Sequence, residues 1–166
     1  MSRNLIATIA NAANKLPAGL RTAFLSTTFG KVVPFVGTAG VRYELLTAEK
    51  VICTIKNRRG VQNHINSVHA VAMGLIAETA TGFVVAMNLA DGEGMVLIKS
   101  MKLEYKKLAK GNMTAVATLT ASQREEIRTS PKGEVTVNCI ITDETGQSPV
   151  ECEMVWAWVV KRKKAA

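Results

Sequence analysis

The spacing of apolar residues changes twice along the chain. Over residues 40–46 and 50–56 it has a period of two, with Val51, Cys53 and Ile55 alternating with Ile52, Thr54 and Lys56. Period two predicts strands, and the short gap between the segments predicts a hairpin. Over residues 68–87 the alternation gives way to an alanine-rich stretch whose single charge is Glu78. That length and composition predict one long helix, buried along most of its circumference. Asn66 and Ser67 are candidates to cap its first amides. Period two then returns over residues 95–107, 113–122, 133–142 and 150–161. Met101, Leu103 and Tyr105 oppose Lys102, Glu104 and Lys106, while Val135, Val137 and Cys139 oppose Thr136 and Asn138. Asp143-Glu-Thr-Gly146 supplies the turn between the last two strands.

Ahead of the hairpin, residues 5–16 predict a short helix ended by Pro17 and Gly19, and residues 21–29 a second. Pro34, Gly37 and Gly40 read as an irregular connection. The order of hairpin, long helix and four strands predicts an α+β protein with an antiparallel sheet packed on the helix. Residues 36–161 form the single domain, 1–35 a helical extension that covers it, and 162–166 a basic tail. Trp156 and Trp158 share one face of the last strand, which points to packing rather than to a platform for stacking bases.

The chain has 166 residues, a formal net charge of +8 and 48% hydrophobic residues, enough for one folded core without disulfide staples. No apolar run reaches the roughly 18 residues of a membrane span, so integral membrane association is not expected. The weakly apolar start soon meets Asn11, Asn14 and Lys15, a poor signal peptide, so the cytoplasm is the expected compartment. Cys53, Cys139 and Cys152 are widely spaced and odd in number, as expected for reduced thiols, and no metal is implied. Phosphate-binding loops, dinucleotide fingerprints and the serine elbow of α/β-hydrolases are all absent.

Candidate chemistry concentrates around the long helix. Glu78 is the only acid between Glu49 and Asp91. A carboxylate in such apolar company requires a polar partner, water or a function. Asn63 and His69 precede it in Asn63-His-Ile-Asn-Ser-Val-His-Ala70. His69 and Glu78 are separated by about 13.5 Å of rise and roughly 180° of rotation on an ideal helix. One subunit therefore does not bring them together. Each also has a structural reading: the histidine as a cap, the asparagine as a turn former, the glutamate as a backbone acceptor or an interface residue.

Asn63, His69 and Glu78, with the glycine-bearing turn before them and the helix through them, resemble hotdog-fold thioesterases of the phenylacetyl-CoA thioesterase type. They are more similar still to hotdog proteins with an Asn-His, His-Ala, Ala-Glu motif, and the resemblance spans about residues 36–161. It implies a sheet wrapped around the central helix and a homodimer, or dimer of dimers, joined through the sheets with acyl-CoA sites at the interface. Glu78 of one subunit would face the Asn63–His69 segment of its partner. By the same resemblance Glu78 is the base or nucleophile, Asn63 lies near the thioester carbonyl and His69 supports the site. The amides around Val68, Ala70 and Val71 would polarise the carbonyl. Ala70 and Val71 stand where many active relatives carry a glycine pair. No cofactor is implied beyond the coenzyme A of the substrate.

Arg58 and Arg59, or Lys106 within the series Lys99, Lys102, Lys106, Lys107 and Lys110, are candidates for the phosphates of coenzyme A. Tyr105 is a candidate to pack near the cofactor or the sheet rim. The leading expectation is an acyl-CoA thioesterase. The alternative is a hotdog protein that binds acyl-CoA or lipid without hydrolysis. A basic nucleic-acid binder ranks third, because its binding would rest on nonspecific electrostatics of the lysines and the tail.

Overall fold

The computed structural model describes residues 4–90 and 94–160. The basic tail, residues 162–166, lies outside the described residues. Strands β1 (Arg42–Leu46), β2 (Lys50–Ile55), β3 (Gly94–Tyr105), β4 (Met113–Thr118), β5 (Lys132–Asp143) and β6 (Val150–Val160) form one sheet in the order β1-β2-β4-β5-β6-β3. All five pairings are antiparallel. One row across it joins Cys53, Ala115, Ile141 and Val150, all buried.

The long helix, α4 (Ala70–Ala86), lies against β2 through β6 and has buried residues on most of its faces. Small residues let it sink into the sheet. A Cβ at Gly74 would stand 2.9 Å from Leu103 Cδ1, and one at Gly82 would stand 2.7 Å from the Trp156 ring. The helix starts later than predicted because His69, in extended conformation, is its cap: Nδ1 accepts the Val71 N–H at 3.1 Å. Neither Asn66 nor Ser67 has that role. Asn66 has φ 60, and the Ser67 hydroxyl donates to the Ala109 carbonyl. This single helix enfolded by an antiparallel sheet is the hotdog arrangement.

A β-bulge between Ile98 and Ser100 reverses which residues of β3 face the helix. Val96 faces inward before it, and Leu103 and Tyr105 after it; the Tyr105 hydroxyl donates to the Ala70 carbonyl at 2.8 Å. Outward, Lys102 and Lys106 pair with Glu104, Lys106 also with Glu151, and Lys99 with Glu134. Much of the basic series is thus matched by acids. Trp156 and Trp158 are buried on the inner face, their N–H groups given to Thr81 Oγ1 and the Ser130 carbonyl, which is the packing role predicted for them.

Three helices precede the sheet: α1 (Leu5–Ala13), α2 (Ala18–Val32) and α3 (Pro34–Ala39). The connection expected to be irregular is helical, because Pro34 suits the first helical position and Gly40, at φ 71, supplies the left-handed end. Polar contacts fix this layer. Arg21 Nε and the Thr22 hydroxyl donate to the Glu44 carbonyl and carboxylate, and Asn14 donates to the Leu46 carbonyl. A fifth helix, α5 (Ala121–Thr129), replaces the predicted end of a strand. Thr120 and Gln123 form a complete capping box there. Among the described residues no helix is long and apolar enough to cross a membrane.

Candidate active site

Glu78 stands just past the second turn of α4, half-buried. Burial pushes its carboxyl above the usual carboxylate range, and the neighbouring Thr79 hydroxyl offsets part of that rise. Thr79 is itself only 3% exposed, and its hydroxyl has no hydrogen-bond partner of good geometry in the chain. The hydroxyl of Tyr43, fully buried between Phe29 and Phe83, is likewise unpartnered. Burial, then the charges of Cys53 and Glu78, push that phenol up. The helix thus carries a carboxyl held partly out of water, with buried hydroxyls around it that lack partners. Such under-satisfied buried groups call for a ligand, water or strain to account for them.

Glu78 and Thr79 open onto a cavity of about 330 Å³. Gly82, Phe83 and Ala86 continue its wall along α4. Val33 and Val36, at the corner of α2 and α3, and Ile6 of α1 face them across the space, with Val96 and Trp156 on the sheet side. At the far end is Asn4, whose amide donates to the carbonyls of Ala86 and Leu89 at 2.8 and 3.0 Å while its Oδ1 caps α1 by accepting the Ala7 N–H. The chamber is therefore apolar between a reactive end at Glu78 and a satisfied polar end at Asn4. A carboxylate poised there can take a proton from water or attack a carbonyl carbon lodged beside it.

Of the candidate site residues named from the sequence, Glu78 alone lines this cavity. Asn63 organises the loop before α4: its Oδ1 accepts the N–H groups of Ile65 and Ser67, both at 3.1 Å. His69 caps the helix, and Val68 forms a bridge with Gln62. Ala70 receives Tyr105, and Val71 is 62% exposed at the same helix end. Arg58 donates to the carbonyls of Thr38 and Ala39 at the end of α3, so its guanidinium is engaged by the fold. Arg59 opens a 3-10 turn, and Lys106 is held by Glu104 and Glu151. Within one chain Asn63, Val68, His69, Val71 and Tyr105 gather around Ala70 at the start of α4, about 12 Å of helix rise from Glu78.

Sequence reasoning did not find Thr79, Asn4 or the wall contributed by α1–α3. Asn4 had a legible signal, a cap residue before an apolar helical run. Thr79 had none beyond adjacency to Glu78.

The fold recurs in solved structures. A protein of unknown function from Pseudomonas aeruginosa, described as a probable thioesterase, is 25% identical, with 88% of this chain and 97% of that chain covered and a TM-score of 0.74. A thioesterase family protein from Silicibacter pomeroyi is 14% identical over 82% of this chain and 96% of that one, at TM-score 0.64. A mutant thioesterase from Staphylococcus aureus is 16% identical over 76% and 98%, at TM-score 0.63. For these last two the likeness is one of fold. No curated protein matches the chain by sequence. Residues 21–159 match the model of a domain of unknown function, DUF4442, and the chain is accordingly a hotdog-fold member of the DUF4442 family.

Proposed function

We propose that the protein is a thioesterase that hydrolyses an acyl-CoA to the free acid and coenzyme A, with Glu78 as the group that drives the attack. The observation that carries this reading is the placement of Glu78: a half-buried carboxyl with a raised pKa, lining an apolar cavity, in a fold shared with thioesterases. Ionised Glu78 takes a proton from a water molecule whose oxygen attacks the thioester carbonyl. The C–S bond then breaks, and the departing sulfur takes up a proton to leave as the thiol. Direct attack by the carboxylate, with water opening the resulting anhydride, balances equally. In either route Glu78 must be ionised, so activity rises with pH through a value above the usual carboxylate range.

The acting unit is a homodimer. β3 is an edge strand of 12 residues, and its inward side chains Ile98, Met101 and Tyr105 stay 39%, 50% and 47% exposed. A long apolar edge left open is a template for pairing with a second copy. Such pairing would bring the partner's loop containing Asn63 and His69 toward Glu78, the arrangement that the family resemblance implies. Light scattering on the purified protein should report a dimer or a dimer of dimers.

One observation favours binding without hydrolysis as a second reading. The Val71 N–H, one of the amides available to polarise a carbonyl, is already taken by His69, and Val71 adds a side chain where a glycine would leave room. Thiol release from acyl-CoA by wild type beside Glu78→Gln separates the two. Turnover lost in the variant supports the thioesterase; saturable acyl-CoA binding with no turnover in either protein supports the alternative.

A further inference from the structure

We propose that the outer face of the N-terminal helices docks on an anionic lipid bilayer, with Leu20 and Phe24 entering the headgroup layer and Lys15 and Lys31 meeting its negative charge. The inference is independent of the part played by Glu78. Three features of this layer agree on the partner.

The first is a second apolar face on α2. The helix packs on β1 and buries Thr22, Leu25 and Phe29. On the opposite side, at helical spacing, Leu20, Phe24, Thr27 and Lys31 form one exposed stripe. A helix with apolar residues on both faces is usually covered on both. Leu5 of α1, Leu16 ahead of α2, Val32 at its end and Phe35 of α3 extend the layer, and together with Leu20 and Phe24 they are between 40% and 70% exposed.

The second feature is charge. The chain up to Tyr43 holds Arg3, Lys15, Arg21, Lys31 and Arg42 and no acid. Arg21 and Arg42 are engaged by Glu44. Lys15 and Lys31 are exposed, and among the described residues neither pairs with an acid, whereas Lys99, Lys102 and Lys106 all do. The same sign continues at the other terminus. Val160 pairs with Gly94, and Lys161, Arg162, Lys163 and Lys164 follow it in the chain. Apolar side chains among unopposed cations suit the interface of an anionic membrane. A two-fold contact with a second copy would instead set these cations against themselves.

The third is continuity with the interior. Leu5 and Val32 belong both to the exposed layer and to the lining of the apolar cavity, which Gly94 also lines. A bilayer offers charge at its surface and apolar chains behind it, matching both parts; an acidic protein would match only the charge. The dimer proposed through β3 uses the edge of the sheet opposite β1.

The test mixes the purified full-length protein with vesicles of phosphatidylcholine alone, or of equal parts phosphatidylcholine and phosphatidylglycerol, and measures the bound fraction by co-sedimentation. Wild type should bind the anionic vesicles about tenfold more tightly or better, and lose that preference as salt is raised. Lys15→Gln with Lys31→Gln should weaken this binding about thirtyfold. Leu20→Ser with Phe24→Ser should weaken it about tenfold or more. These side chains are exposed, and an unchanged Tm confirms that the variants are folded. Equal binding to the two kinds of vesicle, or affinity unchanged in both helix variants because the tail alone holds the protein, would overturn the proposal. So would a smaller oligomer of Leu20→Ser with Phe24→Ser in light scattering at unchanged vesicle affinity, since the face would then join copies of this chain.

Discussion

Replacing Asn4 by Ala removes three hydrogen bonds at once: the cap of α1 through the Ala7 N–H and both anchors to the end of α4. Loss of a helix cap costs about 1 kcal/mol. Each neutral anchor adds roughly 0.5–1.5 kcal/mol. The sum is about 2–4 kcal/mol, bounded above by what docking of α1 contributes, since α1 would detach locally before the whole domain unfolds. For a domain of this size that lowers Tm by roughly 5–10 °C. Thermal denaturation measures the global effect, and amide hydrogen exchange over residues 5–13 detects local detachment. A Tm within about 1 °C of wild type, together with unchanged exchange in α1, would refute the latch.

Other perturbations test separate parts of the account. Thr81→Val keeps the side-chain shape but leaves the buried Trp156 N–H without its acceptor, a loss of about 1–3 kcal/mol readable in urea denaturation. Arg58→Ala should lower stability by about 1–2 kcal/mol through the lost contacts to Thr38 and Ala39, with little change in affinity for coenzyme A; a large affinity loss at unchanged Tm would support the phosphate role instead. Glu78 has a folded pKa above its unfolded value, so the folded state holds its proton more tightly and stability falls as pH rises through that window. Glu78→Gln should therefore raise Tm at neutral pH, with the gain vanishing below the usual carboxylate range. An equal Tm difference at both pH values would argue against this origin.

Much of this architecture is legible in the sequence because it follows from simple periodicities. The alternation in β2, β3, β5 and β6 and the charge-poor stretch of α4 each have one structural solution in which the apolar side is buried. What escaped was set by local capping or tertiary contact. Thr120 and Gln123 override the apparent continuation of a strand by forming a capping box, and Pro34 with Gly40 makes a helix where breakers were expected to prevent one. His69 displaced Asn66 and Ser67 as the cap because the Asn63 turn commits the preceding loop to other hydrogen bonds. Glu78 stood out through its chemical isolation. The cavity beside it was invisible because its walls come from segments more than forty residues apart, brought together only when α1 and α3 dock on α4.

The central claim is that Glu78 drives thioester hydrolysis beside this cavity. Its most direct test is thiol release from short, medium, long and aromatic acyl-CoAs by wild type and by folded, dimeric Glu78→Gln at matched concentration. The account predicts turnover by wild type and a loss of about 10²–10⁴-fold in the variant. Turnover preserved in Glu78→Gln, or none by wild type across the panel, would contradict it.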